Sequence, residues 1–280
     1  MPGMPIDVAP LFPEVSRELI HLLRSLSDRE WNLPTISSQR TVKDIASHLL
    51  DGSLRRLSIQ RDGYRPAHGG PRREEPLLDF LNRLNAEWET GTRRLSPRVI
   101  MELNEWADPQ LADLFASLDP HGPAIFPVAW AGESESENWM DVARDYTEKW
   151  HHTQQIFEAT GRPSTIMNAR LGRPAFEIFL RALPFALQAA SGESDTCVSV
   201  VITGEAGGSW HVVRKENGWD FMAKAPENPA ATITIDQDAA WKLFTKRRSL
   251  PAIREAFPQI RIGGDPSLAQ HFLLMVSVMA

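Results

Sequence analysis

The chain has few of the features that mark secreted, membrane-spanning or nucleic-acid-binding proteins. It holds one cysteine in 280 residues, which excludes an internal disulfide and fits a reducing compartment. No run approaches the ~18 apolar residues of a membrane span, and the start, MPGMPIDVAP, lacks the basic and apolar parts of a signal peptide. The net charge is -6 and the main basic block is the short Lys246-Arg247-Arg248, too little for a nucleic-acid footprint. We therefore expect a soluble, cytoplasmic protein that binds neither nucleic acid nor membrane.

The length and composition indicate a globular protein built from two domains. A chain of 280 residues is longer than a single hydrophobic core usually supports. Its contents of 42% hydrophobic and 24% charged residues are ordinary for a folded protein, which argues against wholesale disorder. The lone cysteine, Cys197, lies in the apolar run CVSVVI. It is therefore predicted to be a small buried hydrophobe rather than a nucleophile.

The first 165 residues show the three- and four-residue spacing of apolar side chains that predicts helices. Thr41 is a suitable N-cap, with Asp44 three residues later in an approximate capping box. Gly161 and Pro163 mark the end of the last helix of this region. The predicted main helices cover residues 7–26, 41–62, 77–95 and 137–160, with a shorter one over 108–118. Four main helices joined by loops predict a helical bundle as the first domain, residues 1–165.

The sequence pattern changes after Arg162. Residues 171–190 still have a helical pattern, although Pro174 and Pro184 interrupt it. Four following segments alternate or run apolar, with β-branched residues among them and Gly, Asn and Pro between them, and are predicted to be strands: TCVSVVITG, SWHVVRKENGW, DFMAKA and ATITID. Helices are predicted over residues 237–246 and 266–279. We therefore predict an α+β two-domain protein, in which residues 166–280 form a small domain around an antiparallel sheet.

Three side chains could bind one metal ion. Glu148 and His152 are four residues apart on a predicted helix, so they project from one face about one turn apart. His48, on the second predicted helix, could supply a third ligand. Two imidazoles and a carboxylate suit zinc, and also iron, nickel or manganese. Because only three ligands come from the protein, positions would stay open for water or substrate, as in catalytic sites.

The same residues also allow an interpretation without a metal. A Glu-x-x-x-His pair arises easily by chance. The helical period also argues against a metal site in the core, because it places the candidate ligands opposite the apolar face. The predicted apolar face of this helix holds Trp139, Ala143, Tyr146, Trp150, Thr153 and Phe157. The opposite face, which resembles a solvent face, holds Asp141, Asp145, Glu148, His152 and Gln155. A metal site here would then lie in a cleft that opens away from the main core, and a solvated polar face is the alternative.

Longer motifs resemble one known family. TVKDIASHLLDGS, which follows W-x-x-P-T at Trp31 to Thr35, resembles the second-helix signature of the DinB-like superfamily. It resembles more closely the mycothiol-dependent maleylpyruvate isomerase branch, and EKWHHTQQI resembles the second metal motif of that branch. Three later segments are similar to the smaller, sterol-carrier-like α+β domain of the branch: GEAGGSWHVVR, ATITID with AAWKLFTKR, and IGGDPSLAQHFLLMVSVMA. The resemblance covers nearly the whole chain in the right order.

The resemblance implies a DinB-like four-helix bundle as the N-terminal domain. Carried over by position, the metal ligands are His48, Glu148 and His152. His151 then falls outside the ligand set, because it points about 100° away from His152 on a helix.

Two further residues are implied less directly. Gln155, three residues beyond His152, could orient a ligand or a bound water from the second shell; a solvated glutamine is the alternative. In this family an arginine of the C-terminal domain is thought to reach the active site. Arg214, in WHVVR, is the candidate catalytic residue, with a surface arginine as the alternative.

The family implies an enzyme that uses a divalent metal ion and a low-molecular-weight thiol, mycothiol or a similar bacterial thiol, as cosubstrate. A divalent cation favours the thiolate over the thiol at neutral pH. The thiolate could add reversibly to an activated double bond and so isomerise it, or attack an electrophile and stay, which is S-transfer. The same ion could instead activate water for hydrolysis, or the protein could be a non-catalytic, metal-containing binder of a small ligand. The residues do not decide among these functions. They also do not decide between a monomer and a homodimer. The expected partners are a small-molecule substrate and the thiol.

Overall fold

The computed structural model describes residues 5–37, 39–65, 75–246 and 248–278, with only the backbone at 77 and 78. Its internal contacts divide the chain into two units. The helical unit comprises Val8–Asp119 and Glu148–Ile166, and the mixed unit comprises the described residues of Met1–Asp7, Pro120–Thr147 and Met167–Ala280. The predicted domain boundary between residues 165 and 166 stays a prediction. Among the described residues, no helix is long and apolar enough to cross a membrane.

Among the described residues, the helical unit contains four whole helices and part of a fifth, whose first part, up to Thr147, belongs to the mixed unit. They are α1 (Phe12–Arg24), α2 (Val42–Arg56), α3 (Leu77–Thr92), α4 (Pro97–Ser117) and the second part of α5 (Asn138–Thr160). The predicted capping box at the start of α2 is confirmed, since the Thr41 side chain accepts from the Asp44 backbone and Asp44 accepts from the Thr41 backbone. A π-helical turn over Leu57–Arg61 follows α2 directly. Whether these helices form the predicted four-helix bundle stays a prediction.

Helix α4 is much longer than the helix predicted over residues 108–118. It begins at Pro97, eleven residues before the predicted start at Asp108, with the Ser96 hydroxyl accepting from the Val99 backbone as N-cap, and continues through Pro109. Proline inside a helix costs about 3 kcal/mol because its backbone has no N–H. Burial of the apolar face of α4 offsets that cost, and its members are Ile100, Ala107, Leu111, Ala112 and Phe115. The prediction missed the first half of the helix because a proline is more often found at the start of a helix than inside it.

The core of the helical unit lies where α2 and α4 face each other. Leu50 and Leu57 are buried with Ala107, and Leu54, Trp88 and Leu103 pack against this cluster. The rings of Phe12 and Phe115 lie 4.8 Å apart and join α1 to α4. His48 is carried on the α2 side of this packed pair of helices, so its backbone position is held by the core.

The mixed unit contains a five-stranded sheet and the remaining helices. The helices are α6 (Gly172–Phe179), α7 (Ala182–Ala186), α8 (Gln237–Phe244), α9 (Leu250–Ala256) and α10 (Pro266–Leu273). The strands are β1 (Cys197–Thr203), β2 (Gly208–Lys215), β3 (Gly218–Met222), β4 (Ala231–Asp236) and β5 (Arg261–Gly264). They lie in the order β3-β2-β1-β4-β5. Helix α9 and strand β5 were not predicted from the sequence, whereas the four predicted strands are all present.

The prediction of an antiparallel sheet is wrong in one pairing. Strands β1 and β4 run parallel, with Val198 opposite Ala231 and Ile202 opposite Ile235. The other three pairings, β1–β2, β2–β3 and β4–β5, are antiparallel, so the sheet is mixed. Alternation of apolar residues is the same in parallel and antiparallel strands, and the direction depends on the connection between them. The likeness to sterol-carrier-type domains stays a prediction.

Candidate metal centre

The three predicted ligands lie together in the helical unit. One possible ligand atom from each of His48, Glu148 and His152 lies within 4.8 Å of the other two. The Nε2 atom of His152 is 3.3 Å from Oε2 of Glu148, and the rings of His48 and His152 are 4.8 Å apart in an edge-on arrangement. Two ligands bound at 2.0–2.2 Å in a tetrahedral shell are about 3.4 Å apart. The His152–Glu148 pair already has that spacing.

The geometry of helix α5 explains why two of the three candidate ligands, Glu148 and His152, lie close together. Glu148 and His152 are one turn apart on α5, so their side chains point to the same side. The ring of His152 is fixed on its other edge, where Nδ1 lies 2.9 Å from Oε1 of Gln155. The third member, His48, comes from α2, a hundred residues earlier in the chain. Its approach to His152 therefore depends on how α2 packs in the helical unit.

The protonation states of the site suit a cation. Burial lowers the pKa of His48 well below its usual range, and the charge of His152 lowers it further, so the imidazole is neutral at pH 7. Burial alone would raise the pKa of Glu148, but the interactions of its carboxylate with His152 and His151 outweigh this effect. The net shift is downward, so the carboxylate is ionised. A neutral imidazole and an ionised carboxylate are the forms that bind metals.

The predicted solvent face of α5 is not a solvent face. Every residue from Lys149 to Phe157 is buried, including His152 and Gln155 at 6% exposure each. Glu148 keeps a third of its side chain exposed. The interpretation of these residues as a solvated polar face is wrong, because a polar stripe on a helix can be buried when its members bind one another. The candidate site is a largely buried polar cluster with a partly exposed carboxylate.

His151 lies beside the cluster but is not among the three grouped side chains. Its ring centre is 4.0 Å from that of His152, and its charge contributes to the lowered pKa of Glu148. The side chain is buried. His151 can therefore act on the site through its charge.

A buried ion pair of α5, formed by the residue that follows Glu148 in the chain, was not predicted. Nζ of Lys149 lies 2.7 Å from Oδ1 of Asp108, and the two side chains are 4% and 2% exposed. The Ser53 hydroxyl donates to the same carboxylate oxygen at 3.3 Å. These three residues connect α2, α4 and α5. The sequence offers no signal for this contact, because an isolated lysine and aspartate on two amphipathic helices normally lie at the surface.

Arg214, the predicted catalytic arginine, lies on β2 in the mixed unit. It lines a cavity of about 520 Å³ that is also lined by Gln188, Asn217 and Trp219. The guanidinium carbon lies 6.0 Å from the centre of the Trp219 ring, a distance at the outer limit of cation–π attraction. Arg214 therefore lies at a cavity with both polar and aromatic lining residues, and its catalytic role stays a prediction.

The comparisons with known proteins agree on one family. Residues 12–157 match the family described as the mycothiol maleylpyruvate isomerase N-terminal domain. The crystal structure of a mycothiol-dependent maleylpyruvate isomerase is similar with a TM-score of 0.51 at 10% identity, covering 85% of this chain and 87% of that chain. The structure of a histidine-to-alanine variant of such an isomerase is similar with a TM-score of 0.52 at 9% identity and the same coverage. Identities this low show a shared fold only, and no curated protein matches the chain.

Proposed function

The chain belongs to the mycothiol maleylpyruvate isomerase N-terminal domain family, and from that membership we propose that it is a divalent-metal-dependent enzyme that uses a low-molecular-weight thiol. The substrate is a small electrophile, and the reaction is isomerisation or S-transfer. The observation that carries the proposal is the grouping of His48, Glu148 and His152 within 4.8 Å. Mycothiol or a similar thiol is the cosubstrate.

The three residues would hold the metal through two imidazole nitrogens and one carboxylate oxygen. This donor set suits zinc best, and nickel, iron or manganese also fit it. Since the protein contributes three ligands, the remaining positions are available to a thiol or to water. When bound, the ion would stabilise a thiolate at neutral pH.

The charges of the protein residues favour one anion at this site. His48 is neutral and Glu148 is ionised, so an additional divalent charge leaves a net charge of about +1 from these groups. A single thiolate would neutralise that charge, whereas a dianion would exceed it. The burial of His152 keeps bulk water from one side of the cluster, which strengthens the attraction.

In an isomerisation the thiolate sulfur forms a bond to one carbon of an activated double bond, and the electron pair of that bond moves into the activating group. Rotation about the new single bond follows, and the thiolate then leaves with its electron pair as the double bond re-forms. In S-transfer the carbon–sulfur bond persists and a proton or leaving group balances the charge. Arg214 is our candidate catalytic residue because the family resemblance implies an arginine of the C-terminal domain, and it lines a cavity of about 520 Å³ in the mixed unit.

Metal content tests the site with two adjacent variants. We expect the wild type to hold about one equivalent of metal and His152→Ala to lose it, since a ligand is removed. His151→Ala, the matched control, should keep the metal because this neighbouring side chain lies outside the ligand group. Elemental analysis of folded protein, checked by circular dichroism, gives the result. Wild type with less than about a tenth of an equivalent after growth in supplemented medium would contradict the metal site.

A second experiment tests the thiol. The cobalt- or nickel-substituted protein should change its absorption spectrum when a low-molecular-weight thiol is added, because a sulfur ligand alters the electronic transitions of the ion. An unchanged spectrum across several cellular thiols would contradict thiol chemistry. That outcome would favour metal-dependent hydrolysis or a non-catalytic metal-containing protein that binds a small ligand.

A further inference from the structure

Gln155 contacts the ring of His152 at the nitrogen opposite the one that faces Glu148. Its Oε1 atom lies 2.9 Å from Nδ1 of His152, and the two residues are three apart on α5. Both are 6% exposed, so bulk water competes weakly for this hydrogen bond. The opposite ring nitrogen, Nε2, points to Oε2 of Glu148 at 3.3 Å. The ring of His152 is thus held between an amide oxygen and the carboxylate of the site.

We propose that Gln155 is a positioning residue that keeps the proton of His152 on Nδ1 and so reserves the Nε2 lone pair for the metal; this inference rests on the proposed metal site. An amide oxygen only accepts hydrogen bonds, so the nitrogen facing it carries the hydrogen. A neutral imidazole has one N–H and one lone pair. Fixing the hydrogen on Nδ1 therefore leaves Nε2 free on the side where Glu148 lies.

The uncharged amide of Gln155 also affects how tightly the site binds a cation and how strongly the loaded site attracts an anion. A carboxylate at the same position would accept the Nδ1 hydrogen more strongly and make Nε2 a better donor to a cation. It would also add a negative charge close to the cluster. Glutamine orients His152 without that charge, and so leaves the positive charge of a loaded site available to an anionic thiolate.

Gln154 supplies the matched control. It is the adjacent glutamine, and its exposed fraction is the same 6%. Its Oε1 atom accepts a hydrogen bond from the Ser164 hydroxyl at 2.6 Å. Its amide oxygen is thus engaged by Ser164. If the loss of any buried amide hydrogen bond in α5 weakened zinc binding, Gln154→Leu would weaken it as much as Gln155→Leu.

The test measures zinc affinity by competition with a chelator for the wild type and three variants. Gln155→Leu should bind zinc about 10–100-fold more weakly, the usual effect of removing a partner of a metal-bound histidine. Gln155→Glu should bind at least as tightly as wild type, and Gln154→Leu should match wild type. In the zinc-loaded wild type, nitrogen NMR should show a slowly exchanging hydrogen on Nδ1 of His152, and Gln155→Leu should lose that signal.

A thiol titration of the cobalt-substituted proteins separates the charge effect. Gln155→Glu should bind the thiolate at least about threefold more weakly than wild type, because a unit charge is added near the site. If wild type holds no metal, the proposed function itself is wrong. If wild type holds zinc but Gln155→Leu binds it equally well, or the Nδ1 hydrogen is absent from the loaded wild type, only the role of Gln155 is wrong. A folded Gln155→Glu that fails to recover zinc binding would also contradict that role.

Discussion

Replacing Lys149 by methionine would leave a buried carboxylate without its cation. The ammonium of Lys149 lies 2.7 Å from Oδ1 of Asp108, and the side chains are 4% and 2% exposed. Methionine has a similar length and helix propensity, so the change removes charge while it fills most of the same space. Breaking a buried ion pair by removing one partner costs about 3–5 kcal/mol. The hydrogen bond from Ser53 remains, and we therefore expect a loss near the lower end of this range.

The assay is urea unfolding at pH 7, followed by circular dichroism, on three variants. Lys149→Met alone should lose about 3 kcal/mol of unfolding free energy. The double variant Lys149→Met with Asp108→Leu should recover most of it, since an apolar pair avoids the cost of burying charges. Arg98→Met is the control: it breaks an ion pair with Glu102 of the same 2.7 Å length on α4, but with side chains 83% and 49% exposed.

The control should lose less than about 1 kcal/mol, as exposed ion pairs do. The reasoning would be refuted if Lys149→Met were no more destabilising than Arg98→Met. It would also be refuted if the double variant were less stable than Lys149→Met. The first result would mean that water reaches the Asp108 carboxylate in the folded protein, and the second that the carboxylate is stabilised without Lys149.

Two further predictions concern single contacts of the helical unit. Thr41→Ala removes the side chain that caps α2 and should lower the unfolding free energy by about 1 kcal/mol, whereas Thr41→Ser should keep most of it; urea unfolding of both variants checks this. Hydrogen bonds from Arg162 and Ser27 lower the pKa of Glu30 to about 2 from an ordinary 4.5. Because the folded pKa is the lower one, the stabilisation is present above pH 4.5 and disappears as the pH falls towards 2. The stability difference between wild type and Glu30→Gln should therefore shrink over that window, and a difference that grows on acidification would contradict the assignment.

The sequence by itself determined the features that depend on neighbours along the chain. The capping residues Thr41 and Asp44 are only three positions apart in the chain, and their pairing was predicted correctly. The positions of Glu148 and His152 on one side of α5 follow from helical geometry alone. The β1, β2 and β4 segments were visible from their β-branched residues, and β3 from a short apolar segment next to Gly and Asn. Local propensity and periodicity are sufficient in each of these cases.

The tertiary structure decided the features that depend on contacts between distant segments. It brought His48 within 4.8 Å of the α5 ligands, paired Lys149 with Asp108 and joined β1 to β4 in parallel. It also reversed the interpretation of α5, whose polar stripe is buried although its spacing resembles a solvent face. The physical reason is common to all four: periodicity tells which residues share a face, but only packing decides what that face meets.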